Sequence, residues 1–219
     1  MVKRKPTNKY YFSVEGETEH WYLKWLQDMI NDTEEAACKV SIDCPVNKNP
    51  LKHVKALTVT RKIEVYHFFD YESNEQQHVK AFQETLDNMK KAEKIGKQVK
   101  YKSGYSNFTF DLWIILHMMN CNSSYSHRKQ YITSINQSFG EKFQNMDEFK
   151  EEANFKRCLK KMNLSNVISA IERAKRIMQK NYENGYTLHQ YKGYEYYKEN
   201  PSLSAWEAIE KILTDCKLT

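Results

Sequence analysis

No stretch of the 219-residue chain approaches the roughly 18 to 20 apolar residues that span a bilayer. The longest apolar run, Leu112 to Met119, is interrupted by His117. The opening Met1–Val2–Lys3–Arg4–Lys5 is basic and lacks the apolar segment of a signal peptide. These absences lead to the expectation of a cytoplasmic protein without membrane contact. The cysteines, Cys38, Cys44, Cys121, Cys158 and Cys216, include no Cys-x-x-Cys pair, which argues for reduced thiols rather than a zinc knuckle or disulfide framework. There is no low-complexity segment, internal repeat or dividing linker. Residues 1–219 therefore read as a single domain, with an α/β core over about 1–120 and a helical extension over about 121–219.

What the chain does have is a moderate positive charge, +6 with a pI near 8.9, which permits contact with nucleic-acid phosphates without requiring it. Residues 1–9 read as a basic arm. A strand is expected at about 10–15, followed by a helix at about 18–31, where Trp21, Tyr22, Trp25, Leu26, Met29 and Ile30 recur at helical spacing. Thr18 or Glu17 is the expected helix cap. Lys39–Cys44 reads as a second strand, followed by a helix containing Val54, Leu57 and Val59. Ile63–Phe69 is the strongest strand signal and has the pattern of a central parallel strand. A long polar helix through Val79, Phe82, Leu86 and Met89 precedes a short strand at Gln98–Lys102. Asn107 is placed to cap the next helix, whose apolar stripe holds Phe110, Trp113, Ile114, His117 and Met118. Beyond about 120 the expectation is helical: Arg128–Phe139, Met146–Met162, Leu164–Tyr182 and Ser202–Cys216.

Acidic residues stand out at two strand ends. Glu15-Gly16-Glu17-Thr18-Glu19 follows the first strand, and Asp70-Tyr71-Glu72 follows the third. The first group alone is equally a glycine turn with an acidic helix start. Two strands ending in acids make a pattern, because that edge of an open α/β sheet is where ligands bind. Residues two apart in an extended segment point the same way, so Asp70 and Glu72 are expected to face one ion. Hard divalent cations take a few carboxylate oxygens and keep several waters, leaving room for a phosphate. Asp111, in the first turn of its helix, either complements the helix dipole or joins this cluster. His117 reads first as a core histidine. The run Tyr182, Tyr186, Tyr191, Tyr194, Tyr196 and Tyr197 among lysines suits either a solvated face or a nucleic-acid surface.

The order Glu-Gly-x-Thr-Glu, Phe-Asp-Tyr-Glu, Ser-Asn-Phe-x-Phe-Asp-Leu-Trp-Ile-Ile-Leu-His and a late Asn-Pro-Ser resembles the RloB-like (AbiLii-type) proteins. The resemblance spans nearly the whole chain and is most specific from Ser106 to His117, where Phe108 and Asp111 replace the family's proline and glutamate. It implies a TOPRIM-like (Rossmann-like) α/β fold, a mostly parallel sheet flanked by helices with a helical C-terminal portion. It also implies a Mg²⁺- or Mn²⁺-dependent nuclease acting on RNA, tRNA included, or on DNA, within an abortive-infection anti-phage system beside an AAA-type ATPase partner. By resemblance Glu15 matches the TOPRIM acid or base, and Asp70 with Glu72 matches the Asp-x-Asp metal pair, the second aspartate being glutamate here. Glu19 and Asp111 are additional candidate ligands. Asn107, His117 and Asn200 are candidates to orient substrate. With no serine or tyrosine placed as a topoisomerase nucleophile, hydrolysis is expected over strand passage. Two other readings stand beside it: a TOPRIM-shaped interaction or sensor subunit that has lost turnover and binds the ATPase, and a primase-like nucleotidyl transferase, which lacks recognisable nucleotide-binding features. Assembly as a homo-oligomer stays open.

Overall fold

Alternating apolar residues build the sheet. In the computed structural model, which describes residues 4–95 and 97–219, the elements follow one another as strand β1 (Thr7–Val14), helix α1 (Glu17–Asp32), β2 (Lys39–Asp43), α2 (Pro50–Ala56), β3 (Ile63–Tyr71), α3 (Gln76–Glu93), β4 (Val99–Asn107) and α4 (Asp111–Met118). A 3-10 turn (Arg128–Gln130) then leads into α5 (Tyr131–Phe139), α6 (Met146–Lys150), α7 (Glu152–Leu159), α8 (Leu164–Glu183), β5 (His189–Tyr191), β6 (Tyr194–Tyr196), β7 (Ser202–Leu203) and α9 (Ala205–Asp215). Five strands form one sheet in the order β2-β1-β3-β4-β7. Its first four strands are parallel, and β7 runs antiparallel to β4.

Both faces of the sheet are covered. Phe12, Val14, Tyr66 and Phe68 point into a core shared with α1, α4, α5, α7, α8 and α9. Val65, Phe69, Tyr71, Tyr101 and Tyr105 point the other way, toward α2, α3 and the β5–β6 hairpin. Burial on two sides explains why β3 reads as a nearly continuous apolar run. Each of these fully buried large side chains contributes about 1.5–3 kcal/mol relative to exposure. Gly104 is required by contact: a Cβ there would lie 2.4 Å from the Phe68 ring.

The expected strands and long helices are present, with informative differences. β1 begins at Thr7, inside the supposed basic arm, whose residues 1–3 lie outside the described residues. The N-cap of α1 is Gly16, without a side-chain cap; the Thr18 hydroxyl donates instead to Glu19 at 3.0 Å. Strand β4 continues to Asn107, so Asn107 does not cap a helix and α4 starts only at Asp111. Met146–Met162 is two helices broken at Glu151, whose extended backbone interrupts the helical path. The tyrosine run is not an open surface, since Tyr194, Tyr196 and Tyr197 are buried while Tyr182 and Tyr186 are exposed. The C-terminal portion is not purely helical, because it supplies β5, β6 and the sheet strand β7.

Side chains complete the outer edge of β4. The Tyr101 N–H donates to the Glu93 carboxylate at 2.9 Å, and the Tyr105 N–H to the Ser204 hydroxyl at 3.1 Å. That hydroxyl in turn donates to the Ser103 carbonyl at 3.1 Å, and β7 pairs with Ser106 and Asn107.

Candidate functional site

The strand order fixes where a site forms. From β1 the chain steps outward to β2 and then returns across β1 to β3, so the direction of winding reverses between β1 and β3. The carboxyl ends of strands flanking such a reversal open onto a crevice. Glu15 follows β1 and Asp70 lies near the end of β3, and the Asp70 N–H donates to Glu15 Oε2 at 3.3 Å. Glu19, in the first turn of α1, is buried, and so is Asp111 at the start of α4. Gly16 has ordinary extended backbone, and a Cβ on it would lie 2.9 Å from Glu19 Oε2. Glycine is there to let that carboxylate fold back.

Lys150 answers Asp111, Asp70 and Glu19, and Lys48 acts on Glu15. Lys150, the last residue of α6, places Nζ 2.9 Å from Asp111 Oδ2, which also accepts from the Thr109 hydroxyl at 2.8 Å. Burial pulls the Lys150 ammonium down, but the charges of Asp111, Asp70 and Glu19 outweigh it and raise it. Burial pushes Glu15 up to about 7, reinforced by Glu19 and Glu72 and opposed by the Asp70 N–H and by Lys48. Burial, then the charges of Glu19 and Glu15, raise Asp70; burial also raises Glu19, with Asp111 adding to it. Three carboxylates, Asp111, Asp70 and Glu19, thus sit within electrostatic range of Lys150, with Glu15 beside Asp70 and Glu19, and among the described residues Asp70 Oδ1 and Asp111 Oδ1 are buried without a hydrogen-bond partner.

The other sequence candidates have partners of their own, Glu72 while still within electrostatic range of Glu15. β3 ends at Tyr71, so the strand alternation that would align Glu72 with Asp70 does not reach it. Glu72 instead pairs with His78 at 3.4 Å and Arg128 at 3.6 Å. His117 lies in the interior, its Nδ1 2.9 Å from the Trp113 carbonyl and its Nε2 3.1 Å from the Tyr22 hydroxyl. Both nitrogens are occupied, and burial pushes the ring down to about 4, so it is a structural group and not one that orients substrate. Asn107 and Asn200 meet each other. The Asn107 amide donates to the carbonyls of Lys198 and Glu199 at 2.9 and 3.2 Å, and the Asn200 amide donates to the Asn107 carbonyl at 2.6 Å. Asn200 also accepts from the Tyr125 N–H at 3.0 Å, tying the loop before α5 to the end of β4. Lys150, Thr109 and Arg128 were not expected at the site, and nothing in their local sequence marks them.

The donor set bears on a metal ion in two ways. Among the described residues no group of three or more His, Cys, Asp or Glu side chains is arranged to hold an ion as it stands. Yet Mg²⁺ needs only one or two carboxylates with water and substrate oxygens. The unpartnered oxygens of Asp70 and Asp111, in a cluster with excess negative charge, fit a hard cation.

The chain is an α/β protein with a mostly parallel sheet, and its carboxylates gather at the carboxyl ends of the two strands flanking the winding reversal, the edge where open sheets of this kind bind ligands. A family model described as RloB-like protein matches residues 10–212, and the chain belongs to that family. Neither curated proteins nor solved structures give a match. Among the described residues no helix is long and apolar enough to cross a membrane.

Proposed function

We propose that this chain is a TOPRIM-like, Mg²⁺-dependent nuclease that hydrolyses phosphodiester bonds in RNA, tRNA included, or in DNA, as the effector of an abortive-infection anti-phage system with an AAA-type ATPase partner. The observation that carries the reading is the charge-imbalanced set of buried Glu19 and Asp111 with half-buried Glu15 and Asp70, orphaned oxygens on both aspartates among the described residues, at the winding reversal. Asp70 and Asp111, with Glu19 beside them, would hold the metal. When bound, Mg²⁺ or Mn²⁺ supplies Lewis-acid polarisation of the phosphate and lowers the pKa of a water. Glu15, held by the Asp70 N–H beside these ligands, would accept or return the proton. Lys150 supplies a fixed positive charge beside the place where charge develops on the phosphate.

The decisive experiment incubates the purified protein, alone and with its ATPase partner, with Mg²⁺ or Mn²⁺ on total RNA, tRNA and plasmid. Cleavage lost in Glu15→Gln and Asp70→Asn supports the reading. No cleavage by the intact system, or cleavage untouched by both substitutions, sinks it. One observation favours a second reading, a non-catalytic interaction subunit: Lys150 already neutralises part of the cluster, as a built-in cation would. Calorimetric titration with Mg²⁺ separates the two, since a nuclease must take up the metal and an interaction module need not.

A further inference from the structure

A cleft of about 560 Å³ opens directly onto the Asp111–Lys150 pair. Asp111 and Lys150 form its inner wall, Arg128 and Lys129 stand on its rim, and Ile132 and Met146 line it with apolar surface. A slightly larger cleft, about 610 Å³, lies at the amino ends of the strands beside Thr7–Tyr11 and Arg61–Glu64, the wrong edge of a parallel sheet for this chemistry.

The rim is a built feature. His127 and Gln130 cap the 3-10 turn reciprocally, and Gln130 Oε1 accepts from the N–H groups of Ser126 and His127 at 2.8 and 3.0 Å. Asn200 anchors the preceding Tyr125 N–H. Glu72, just past the end of β3, reaches Arg128 at 3.6 Å and orients its guanidinium. Against these cations the cleft has Asp111, neutralised by Lys150 at 2.9 Å, and Asp147. Arg128 is held by Glu72 only at 3.6 Å on the exposed rim, and among the described residues Lys129 makes no ion pair, so both cations can turn toward an anion.

Resting on the nuclease reading, we propose that this cleft is the subsite for the sugar-phosphate strand of a single-stranded nucleic acid. Arg128 and Lys129 contact phosphates flanking the one that reaches Lys150, and Ile132 and Met146 pack against a nucleotide. Arg128 suits the task because its planar fork matches phosphate oxygens. The apolar lining accepts a sugar or base face without reading its sequence. Lys150 then faces two anions, Asp111 and the incoming phosphate, and couples strand binding to the acidic centre.

The test measures binding of fluorescent single-stranded RNA and DNA hexamers to the full chain by anisotropy, in EDTA and across a salt series. Arg128→Gln with Lys129→Gln is expected to weaken binding by about tenfold and to flatten the slope of log K against log salt by about 1.4, roughly 0.7 for each single-strand phosphate that is no longer neutralised. Lys129→Glu alone, at an exposed position, repeats the loss if the double variant misfolds. Loss in the RNA arm only, the DNA arm only or both identifies the strand. No binding by the unaltered protein, or affinity and slope unchanged in both arms, overturns the subsite. Calorimetric Mg²⁺ uptake and cleavage by the same variants keep the two readings apart. If neither metal uptake nor cleavage is found while oligonucleotide binding still depends on Arg128 and Lys129, the nuclease reading falls and the strand subsite stands.

Discussion

Two buried polar regions lie at opposite ends of α4, and they are built on opposite terms. At its C-terminal end, His117 has found a partner for each ring nitrogen and is kept neutral among Tyr22, Trp25 and Trp113. At its N-terminal end, Asp111 shares one lysine with Glu19 and Asp70, and among the described residues Asp70 Oδ1 and Asp111 Oδ1 have no partner. Unpaired buried acids cost stability that a folded chain need not sacrifice. A polar group whose needs are met inside the protein belongs to the fold; one whose needs are left open is kept for something that arrives.

Substitution should separate the two ends most sharply. Glu15→Gln and Asp70→Asn are expected to lower cleavage by about 10²–10⁴-fold. Both should also raise the melting temperature, by about 2–4 °C for each kcal/mol of relieved burial and repulsion. A lower melting temperature with intact cleavage would break the comparison. Next in size, His117→Ala should cost about 2–4 kcal/mol in denaturant unfolding, since it leaves a cavity and strands the Tyr22 hydroxyl. Its effect on cleavage should be no more than its loss of folded protein explains.

The pH dependence of stability should slope in opposite directions at the two ends. Glu15 rises from 4.5 to about 7 on folding, so the folded chain holds a proton that the unfolded chain has released. Its contribution falls as pH rises through that interval. His117 drops from 6.5 to about 4, so the unfolded chain takes up a proton that the interior refuses, and stability falls as pH drops from about 6.5 toward 4. Thermal unfolding across pH 4–8 should lose the first slope in Glu15→Gln and the second in His117→Leu. The smallest effect is expected for Gly16→Ala, which its backbone accommodates; it should change stability by less than about 1 kcal/mol. By displacing Glu19, it should weaken Mg²⁺ uptake in calorimetry, and unchanged uptake would remove Glu19 from the site.

These differences also show what could be read in advance. β3 was legible because burial on two faces writes a long apolar run, β2 because Val40 and Ile42 alternate with half-buried residues, and β4 only over its alternating start. Strands of two or three residues, such as β5, β6 and β7, carry too little pattern to be seen. The acids at the two strand ends were legible from position alone, and Asp111 from its place at the helix start. Which of them face one another was not, because the pleat that aligns Asp70 stops before Glu72. Lys150 reaches Asp111 across 39 positions of chain, and no local motif announces such a contact. Asn107 misled because an asparagine before an apolar helix fits a cap and a strand end equally well; the reach of β4 decided it.

The side chains bordering β4 have a consequence for how copies of this protein meet. An open sheet ends in a row of unpaired backbone groups that invites a strand from another molecule. Here Glu93 and Ser204 stand in for the missing neighbour along the middle of β4, and the two residues of β7 close its far end. The sheet is thereby shut to strand exchange and to fibril-like growth on that side. Removing the Ser204 hydroxyl would show itself in self-association before it showed itself in unfolding.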